Sequence, residues 1–504
     1  MKNGSPRLDL LIRNARIVDG TGAPSFTGSV GVRGDRIVAI EPSDVEAEAT
    51  ATLDVDGRVL SPGFIDVHSH DDFAVVFEPE MGFKVEQGVT SEIVGNCGIG
   101  AAPHECARGF SNAIFPGHQL PPWNGFAGYL DYLDYLDENP PSLNVGTLAG
   151  HGVLRQAAME NPRGAPSAGE LSRLRDSLRC ALEEGAVGYS SGLIYDPSRW
   201  ATTEELVALA REMSRTGGLY ATHMRDESRL LLDSVAEAIR VGSEGGVPVQ
   251  ISHHKASGRA SWGLVHDSLR LIEEARAQGG DVTADQYPYT AGSTILSAVL
   301  GWLTGESDEG LRMEPCDVVI ASNPDDPSLE GLSIADIARQ WEIAPADVAR
   351  RIVEQGQLRV WVVLHTMCED DVQTVLRHPT TMIGSDGIQT PAGKPHPRLY
   401  GTFPRVLGRY ARDLAILSLE EAVRRMTSFP AEKFGLRDRG TIRVGAHADL
   451  VVFDPETIAD TATWTDPRRA PEGIRHVFVN GTSVVRDGAH TGARPGRSLR
   501  GPVR

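Results

Sequence analysis

The sequence lacks the usual features of membrane, secreted and nucleic-acid-binding proteins. No stretch of its 504 residues reaches the roughly 18 apolar positions that a membrane-spanning helix needs. The segment Met1–Leu10 has no apolar core of the kind found in secretory signals. Lysine and arginine number 49 against 68 acidic residues, with no basic cluster, which argues against nucleic-acid or anionic-membrane partners. We therefore expect a soluble, cytoplasmic protein with a formal net charge of −19.

Cysteine is also scarce. The chain has five cysteines, an odd number, and they are scattered rather than grouped. A disulfide framework needs paired cysteines in an oxidising compartment, so we expect reduced thiols. The five residues are Cys97, Cys106, Cys180, Cys316 and Cys368.

Two β-rich segments lie at the two ends of the chain. Near the start, short apolar runs such as Arg36–Ile40 alternate with glycine-containing turns. The same pattern returns late in the chain, in Ala448–Asp454 and His476–Gly481. We expect residues 1–60 and 437–504 to join in one small β domain.

Between these ends, residues 61–436 alternate strand-like runs with helical patterns. About eight such repeats predict an α/β fold, a (β/α)₈ barrel of parallel strands. A doubly wound sheet is the alternative, but no Gly-x-Gly-x-x-Gly turn follows the first strand. The repeat is interrupted at about 290–360, which we interpret as an insertion in the barrel.

The motif His68-Ser69-His70 follows the strand-like run Val59–Val67. Alternate residues of an extended chain point to the same side, so both imidazoles should face one space. A pair of surface histidines is the alternative reading. Four further side chains that can bind a metal also end strand-like runs: Cys97, His223, His253 and Asp386. The carboxyl ends of barrel strands meet on one face, so the six side chains predict a metal site there.

The donor types indicate which metal this site would hold. Thiolate and imidazole donors with a carboxylate nearby suit zinc better than calcium or magnesium. Iron, cobalt and manganese accept similar donors and stay open alternatives. Six donors exceed the needs of one tetrahedral ion, so the sequence predicts either two neighbouring metals or one tight site beside a weaker one.

Several longer motifs resemble a known family. The segment Ser61–Asp72 resembles the amidohydrolase superfamily. Further segments are similar to the N-acyl-D-amino-acid deacylases, or D-aminoacylases: Gly95–Gly98, Ser191–Tyr195, Thr222–Glu227, Ile251–Lys255, Asp285–Thr294, Ile383–Gly387, His396–Arg398 and Gly401–Pro404. Most binuclear members of the superfamily bridge their metals with a carbamylated lysine on the fourth barrel strand. The segment Val145–His151, taken as the matching strand, has no lysine, and Cys97 is the residue that marks the deacylases.

This resemblance implies a zinc-dependent hydrolase that splits N-acyl-D-amino acids into a carboxylate and a free D-amino acid. The implied ligands of a tight zinc ion are Cys97, His223 and His253. A second, weaker site would use His68, His70 and the bridging Cys97, with Asp386 nearby. Metal binding lowers the pKa of water towards about 7, so metal-bound hydroxide is available as nucleophile at neutral pH. Asp386 would be the general base for this water and the general acid for the departing amine.

The family pattern also implies a set of substrate-binding residues. Lys255, Tyr287, Ser293 and Arg398 would bind the α-carboxylate, which suits cations and hydroxyl groups. Surface ion pairs are the alternative for the lysine and the arginine. Tyr195 would line the pocket or donate to the oxyanion, with core packing as its alternative. The loop 388–395 is not fixed within the family, so side-chain selectivity is not implied; we favour neutral, apolar D-side chains.

Two other functions compete with deacylation. The first is a cyclic-amide hydrolase of the same superfamily, such as a dihydropyrimidinase or hydantoinase, and the missing lysine counts against it. The second is a non-catalytic scaffold with the same fold. Such a scaffold would be expected to have lost metal-binding residues, whereas all six are present here. The preference for D-substrates rests on the resemblance alone, and the sequence predicts no oligomeric state.

Overall fold

Eight parallel strands form the centre of the molecule, in a computed structural model that describes residues 7–42, 48–115, 125–214, 217–306 and 313–501. Each barrel strand pairs with the one before it in chain order, so the sheet runs from first to eighth without a crossover. The eight strands are Phe64–Asp66, Val89–Val94, Asn144–Gly150, Gly188–Gly192, Leu219–His223, Val249–Ile251, Val282–Gln286 and Thr381–Ile383.

The sheet closes between its first and eighth strands, just beyond their carboxyl ends. Ser69 forms a parallel bridge with Gly387. The Asp386 amide donates to the His68 carbonyl at 2.7 Å, and the His70 amide donates to the Gly387 carbonyl at 2.9 Å. Closure leaves no free sheet edge at this point. The predicted barrel is thereby confirmed, and the doubly wound alternative, which needs an open sheet, is wrong.

The longer helices that follow the barrel strands pack around the barrel and bury an apolar face. Helix Ala168–Glu183 shows the pattern: Ser167 and Glu170 form a capping box at its start, and Leu174 and Leu178 are buried. None of the described helices is long and apolar enough to span a bilayer. The α-helices are Ala74–Phe77, Gly82–Val85, His104–Ile114, Tyr129–Glu138, His151–Ala158, Ala168–Glu183, Thr203–Met213, Leu231–Gly245, Leu264–Ala277, Leu300–Thr304, Ile334–Trp341, Pro345–Gly356, Glu369–Arg377, Arg398–Arg405, Leu419–Met426 and Ser428–Lys433. A π-helical segment, Val406–Asp413, continues the helix that begins at Arg398.

Strands from both ends of the chain form a second sheet. Val59–Pro62 pairs antiparallel with Leu450–Phe453, which joins the N-terminal half of the sheet to the C-terminal half. The predicted β unit built from both termini is therefore confirmed. Its strands are Leu8–Ile17, Phe26–Arg33, Arg36–Glu41, Ala49–Asp54, Val59–Pro62, Leu450–Phe453, Ile474–Val479, Thr482–Arg486 and Ala489–His490.

A third sheet lies between the seventh and eighth barrel strands. Its antiparallel strands are Gly292–Ile295, Val318–Ser322 and Trp361–Leu364. The segment has its own apolar core, which includes Leu296, Ile337 and Val348. We call residues 292–364 the insertion; the sheet continues four residues past the predicted end at 360.

Two sequence assignments need correction. The run Val59–Val67 is not one strand, because the chain passes at Gly63 from the terminal sheet into the barrel, with the Gly63 amide bonded to the Asp449 carbonyl at 2.8 Å. The segment Val145–His151 matches the third barrel strand rather than the fourth. The fourth, Gly188–Gly192, contains no lysine either, so the inference from the missing lysine holds.

The domain boundaries 1–60 with 437–504, and 61–436, stay a prediction. One observation complicates them, because Ser498–Leu499 leaves the terminal sheet and pairs with the third barrel strand. Residues 1–6, 43–47, 116–124, 215–216, 307–312 and 502–504 of these ranges lie outside the described residues.

Candidate active site

All six predicted metal donors lie on the carboxyl-end face of the barrel. His68 and His70 follow the first strand, Cys97 follows the second, His223 ends the fifth, His253 follows the sixth and Asp386 follows the eighth. Each is less than a tenth exposed to solvent. Five different strands thus deliver donors to one buried place, as the convergence of barrel strands predicts.

The Cys97 thiol lies at the centre of this group. Its Sγ atom is 3.4 Å from His68 Nε2, 3.6 Å from His223 Nδ1 and 3.6 Å from His253 Nε2. Zinc bonds of about 2.3 Å to sulfur and 2.0–2.1 Å to nitrogen, at a tetrahedral angle, place two donors about 3.6 Å apart. The side chains therefore have the spacing of ligands around a shared ion.

Three overlapping sets of donors have their ligand atoms within 4.8 Å of one another. The sets are His68 with His70 and Cys97, Cys97 with His223 and His253, and His68 with His253 and Asp386. Cys97 belongs to two of them. The arrangement therefore fits one ion or two neighbouring ions that share the thiolate.

The electrostatics of the site favour a thiolate. Burial alone would raise the pKa of the Cys97 thiol, but the charge of His68 and hydrogen bonds to His223, His253 and His68 hold it well below its usual value. A cysteine binds a metal as its thiolate, so the surroundings prepare the side chain for that role. In addition, His70 Nδ1 and His223 Nε2 are buried without a hydrogen-bonding partner among the described residues.

The backbone is strained at three of the donors. Cys97, His253 and Asp386 have φ angles of 54°, 36° and 49°, in the left-handed region that residues other than glycine rarely adopt. Each such residue costs on the order of 1–3 kcal/mol, and strain of this kind is concentrated at functional sites. The strained backbone turns the side chain towards the common centre directly after each strand.

Gly192, at the end of the fourth strand, leaves room for the backbone of Cys97. A Cβ atom at Gly192 would overlap the carbonyl oxygen of Cys97. Only glycine permits this close approach of the two backbones. The segment Ser191–Tyr195 therefore contributes to the site in two ways. Gly192 leaves room for the Cys97 backbone, and Tyr195 adds a side chain.

Asp386 stands between the histidines and a buried arginine. Its Oδ1 atom is 3.1 Å from His70 Nε2 and 3.5 Å from His68 Nε2, while Oδ2 is 2.9 Å from the Arg398 guanidinium. Burial would raise the pKa of this carboxyl, but Arg398 and the neighbouring imidazoles hold it well below its usual value. Asp386 is thus held as a carboxylate, with its Oδ1 atom directed at His68 and His70.

Two carboxylates that the sequence reasoning did not select hold the histidines in place. Glu227 Oε1 is 2.8 Å from His253 Nδ1, and its Oε2 is 3.6 Å from His223 Nε2. Asp285 Oδ1 is 3.2 Å from His68 Nδ1 and accepts the His253 amide at 2.8 Å. A carboxylate behind an imidazole fixes the ring and raises its basicity as a ligand. Both residues lie in motifs already noted, Thr222–Glu227 and Asp285–Thr294, so a signal was present.

The four predicted carboxylate-binding residues also come together, around the Tyr287 ring. The Arg398 guanidinium lies 4.5 Å from the ring centroid and the Lys255 ammonium 6.0 Å from it. Arg398 also contacts the Ser293 carbonyl at 3.5 Å. The lysine is buried and bonded to Glu227 at 2.6 Å, so the alternative of a surface ion pair is wrong for this residue.

Tyr195 lies next to the metal donors. Its ring centroid is 5.1 Å from that of His223, and its hydroxyl is 3.1 Å from the Thr294 hydroxyl. The residue lines the cavity described next rather than the interior of the barrel.

A cavity of about 400 Å³ opens above the donors. The cavity is lined by predicted metal donors, by Tyr195, Lys255, Tyr287 and Ser293, and by apolar residues of the insertion. Its volume and its mixed lining suit a small organic substrate.

Comparisons with known proteins agree with this arrangement. Residues 51–485 match the model of the amidohydrolase family. Two proteins of Alcaligenes xylosoxydans xylosoxydans are 41% identical: N-acyl-D-glutamate deacylase over 98% of this chain and 97% of its own length, and D-aminoacylase over 99% of both. N-acyl-D-glutamate deacylase from Bordetella bronchiseptica, solved with zinc and a phosphonate mimic of the tetrahedral intermediate, superposes with a TM-score of 0.86 at 39% identity, over 98% of this chain and 100% of that one.

More distant structures share the fold. L-hydantoinase from Arthrobacter aurescens superposes with a TM-score of 0.59 at 17% identity, over 98% of this chain and 100% of that one. Such a likeness shows the fold and not the reaction. The near full-length match to the deacylases is the one that defines the group, and the chain belongs to the amidohydrolase family, within its branch of D-aminoacylases and N-acyl-D-amino-acid deacylases.

Proposed function

We propose that this protein is a zinc-dependent hydrolase of N-acyl-D-amino acids. The observation that carries the proposal is the position of Cys97 Sγ, within 3.4–3.6 Å of three imidazole nitrogens at the floor of the cavity. The family membership and the activities named for its relatives supply the substrate class. Zinc fits the thiolate and imidazole donors better than a hard cation would.

The donors divide into two overlapping sets that share Cys97. We assign a tight zinc ion to Cys97, His223 and His253, because Glu227 bonds His253 from behind at 2.8 Å and its second oxygen lies 3.6 Å from His223. A weaker second site would use His68, His70 and the shared Cys97. Asp386 borders this second group.

The chain's own residues provide the proton transfers of amide hydrolysis. A bound zinc ion supplies a water of lowered pKa and polarises the amide carbonyl. Asp386 Oδ2 is engaged by Arg398, so Oδ1 is the oxygen that takes the proton of the attacking water. The same oxygen then returns a proton to the departing nitrogen, which leaves as the free amine of the D-amino acid. Products are one carboxylate and one amino acid.

The residues around the Tyr287 ring would hold the substrate in a fixed orientation through its α-carboxylate. Lys255 and Arg398 pair with the α-carboxylate, and the hydroxyls of Tyr287 and Ser293 donate to it. Each cation already has one carboxylate partner, Glu227 and Asp386 respectively, which fixes its position before substrate binds. Tyr195, close to His223, donates its hydroxyl to the oxygen that becomes negative during attack.

The cysteines and the charge of the chain bear on its location and partners. All five cysteines are unpaired, in keeping with a reducing compartment. A cytoplasmic location, and the lack of nucleic-acid or membrane partners, stay predictions from the charge and composition of the chain.

The proposal is tested with zinc-loaded protein and paired substrates. We expect N-acetyl-D-methionine to be hydrolysed at least about 100-fold faster than N-acetyl-L-methionine. Only one enantiomer can place its carboxylate at Lys255 and Arg398 and its amide at the metal donors at the same time. Hydantoin and dihydrouracil serve as controls and should not be opened. Turnover of the L-substrate alone would overturn the substrate class, and ring opening without deacylation would favour the cyclic-amide alternative.

A further inference from the structure

The insertion provides an apolar wall of the cavity. Its lining side chains include Ile295, Val299, Trp302, Leu358 and Trp361. Val299 also belongs to the core of the insertion, and Trp302 packs against that core, which fixes this wall in place. Ser293 lies on the first strand of the same segment. If the α-carboxylate of a substrate is bound at Ser293, the substrate side chain on the adjacent α-carbon would point towards this wall.

The cations of the cavity are already engaged. Among the described lining residues, Arg225 and Lys255 are the arginine and lysine side chains present. Lys255 is bonded to Glu227. Arg398, the second cation of the proposed carboxylate site, lines a small neighbouring pocket and is paired with Asp386. Arg225 bonds to Glu237 at 3.0 and 3.1 Å and to the carbonyls of Arg199 and Ala201 at 2.9 and 3.0 Å. Its guanidinium is committed away from the substrate.

Acidic side chains outnumber these cations in the lining. They are Glu105, Asp196, Asp226, Glu227 and Asp386. Glu227 and Asp386 are paired with Lys255 and Arg398, and Asp196 is paired with Arg163 at 3.0 Å, while Glu105 and Asp226 add negative charge to the lining. A second carboxylate on the substrate would face like charges or an apolar wall, and burying an unpaired charge in such a place is unfavourable.

We propose that this protein selects N-acyl-D-amino acids with large, neutral and apolar side chains, of the size of leucine, methionine or phenylalanine, over D-glutamate and D-aspartate derivatives. The inference rests on the proposed function and deepens it. Sequence identity does not decide the question, because a deacylase named for D-glutamate and a D-aminoacylase match this chain equally well. The described lining decides it, because among the residues that the structure describes there it offers no further lysine or arginine for a second carboxylate. The specificity-determining residues are those of the insertion wall, among them Trp302.

The first test compares kcat/KM for five N-acetyl-D-amino acids with the zinc-loaded protein. We expect values for the leucine, methionine and phenylalanine derivatives at least about 100-fold above those for the glutamate and aspartate derivatives. Equal or higher values for the acidic pair would overturn this inference and leave the proposed function standing. Failure to hydrolyse any of the five would overturn both.

The second test gives the wall a cation. Trp302→Arg should lower the ratio of kcat/KM for the leucine over the glutamate derivative by at least about tenfold, since the new charge can pair with the second carboxylate. Leu358→Lys makes the same change at a cavity residue that is 46% exposed, where folding is not at risk. Its matched control is Leu130→Lys, 44% exposed on the helix Tyr129–Glu138 and outside the cavity.

Leu358→Lys should lower the ratio at least about threefold, and the control should leave it within about twofold, because a charge acts within a Debye length of the substrate. An unchanged ratio in both wall variants, or an equal shift in the control, would contradict the assignment.

Discussion

The two ends of the barrel are built in opposite ways. At the carboxyl end, buried histidines leave nitrogen atoms unpartnered, and three donors have strained backbones. At the amino end, a buried ion pair is surrounded by hydrogen bonds: Arg439 bonds to Asp449 and to Asn480, and the Asn480 backbone amide donates to Asp449 at 2.7 Å. Asn144, which begins the third strand, joins the same network through Asn480 at 2.8 Å.

The difference separates binding from stability within one sheet. The network at the amino end contributes stability through its hydrogen bonds and also attaches the terminal β sheet to the barrel. The carboxyl end instead combines strained backbones with closely spaced thiol, imidazole and carboxylate donors, an arrangement that suits binding of an ion. Substitutions at the first end should change unfolding and leave catalysis intact, whereas those at the second should do the reverse.

The largest effect is expected for Cys97→Ala. The thiolate belongs to two of the three donor sets, so its loss should abolish tight zinc binding and lower kcat/KM at least about 1,000-fold. Zinc content by atomic emission and hydrolysis of N-acetyl-D-methionine are the measurements. The control is Cys316→Ser, at an exposed cysteine, which should keep both. Full activity in Cys97→Ala would show that the metal centre is elsewhere.

Asp386→Asn should reduce kcat by about 100- to 10,000-fold, because the amide cannot accept the proton of the attacking water. We expect zinc at the tight site to be retained, since Asp386 is outside that ligand set. Parallel measurement of kcat and metal content therefore distinguishes a proton-transfer role from a ligand role. A variant that loses its tight zinc together with its activity would refute that separation.

Glu227→Gln should weaken zinc binding by about 10- to 100-fold, as loss of a carboxylate behind a ligating histidine commonly does. The glutamine keeps the size of the side chain but holds His253 and Lys255 less firmly. Competition with a zinc chelator measures the change. Glu244→Gln, at an exposed glutamate, is the control, and identical affinities in the two variants would contradict the role of Glu227.

The smallest effect on catalysis is expected at Lys433, whose ammonium bonds to Asp281 at the amino end of the seventh strand at 2.8 Å. Burial lowers the pKa of this lysine to about 8. The unfolded chain, with a pKa of about 10.4, then binds more protons between these values, so stability rises with pH across the range from about 8 to 10. Methionine has no ionisable group, so the stability of Lys433→Met should not show this rise with pH.

The melting temperature of the native protein minus that of Lys433→Met should therefore become more positive from pH 8 to pH 10. The corresponding free energy is at most about 3 kcal/mol. We expect kcat/KM at pH 7.5 to stay within about twofold of the native value, since the residue is remote from the donors. A large loss of activity would break the division between the two ends.

Much of the site could be predicted because barrel geometry brings strand ends together. His68, Cys97, His253 and Asp386 each follow an apolar run, and parallel strands leave one place for such residues to meet. The substrate-side group around Tyr287 came from the family motifs, and the structure brings its members close to the donors.

Other features depend on distances that no spacing in the sequence encodes. Glu227 acts through His253, and its position four residues after His223 does not reveal that contact. The positive φ angles at Cys97 and Asp386 arise from the turn after each strand, and both residue types are common in ordinary conformations. The engagement of Arg225 by Glu237 and two carbonyls is likewise a property of the folded chain.

The terminal sheet was predicted from the sequence, but the point at which the chain leaves it for the barrel was not. Alternating β-rich segments identified the terminal sheet, but the run Val59–Val67 gave no sign that Gly63 separates two sheets. Continuous apolar character is the same on both sides of that glycine, because each strand is buried in its own sheet.

The most direct test of the metal centre is a crystal structure of protein whose activity has been restored from the metal-free state with one equivalent of zinc. An anomalous difference map at the zinc absorption edge locates the ion. We predict a peak about 2.3 Å from Cys97 Sγ and about 2.0–2.1 Å from nitrogens of His223 and His253. A peak at other side chains, or full activity in metal-free protein, would contradict a cysteine-centred zinc hydrolase.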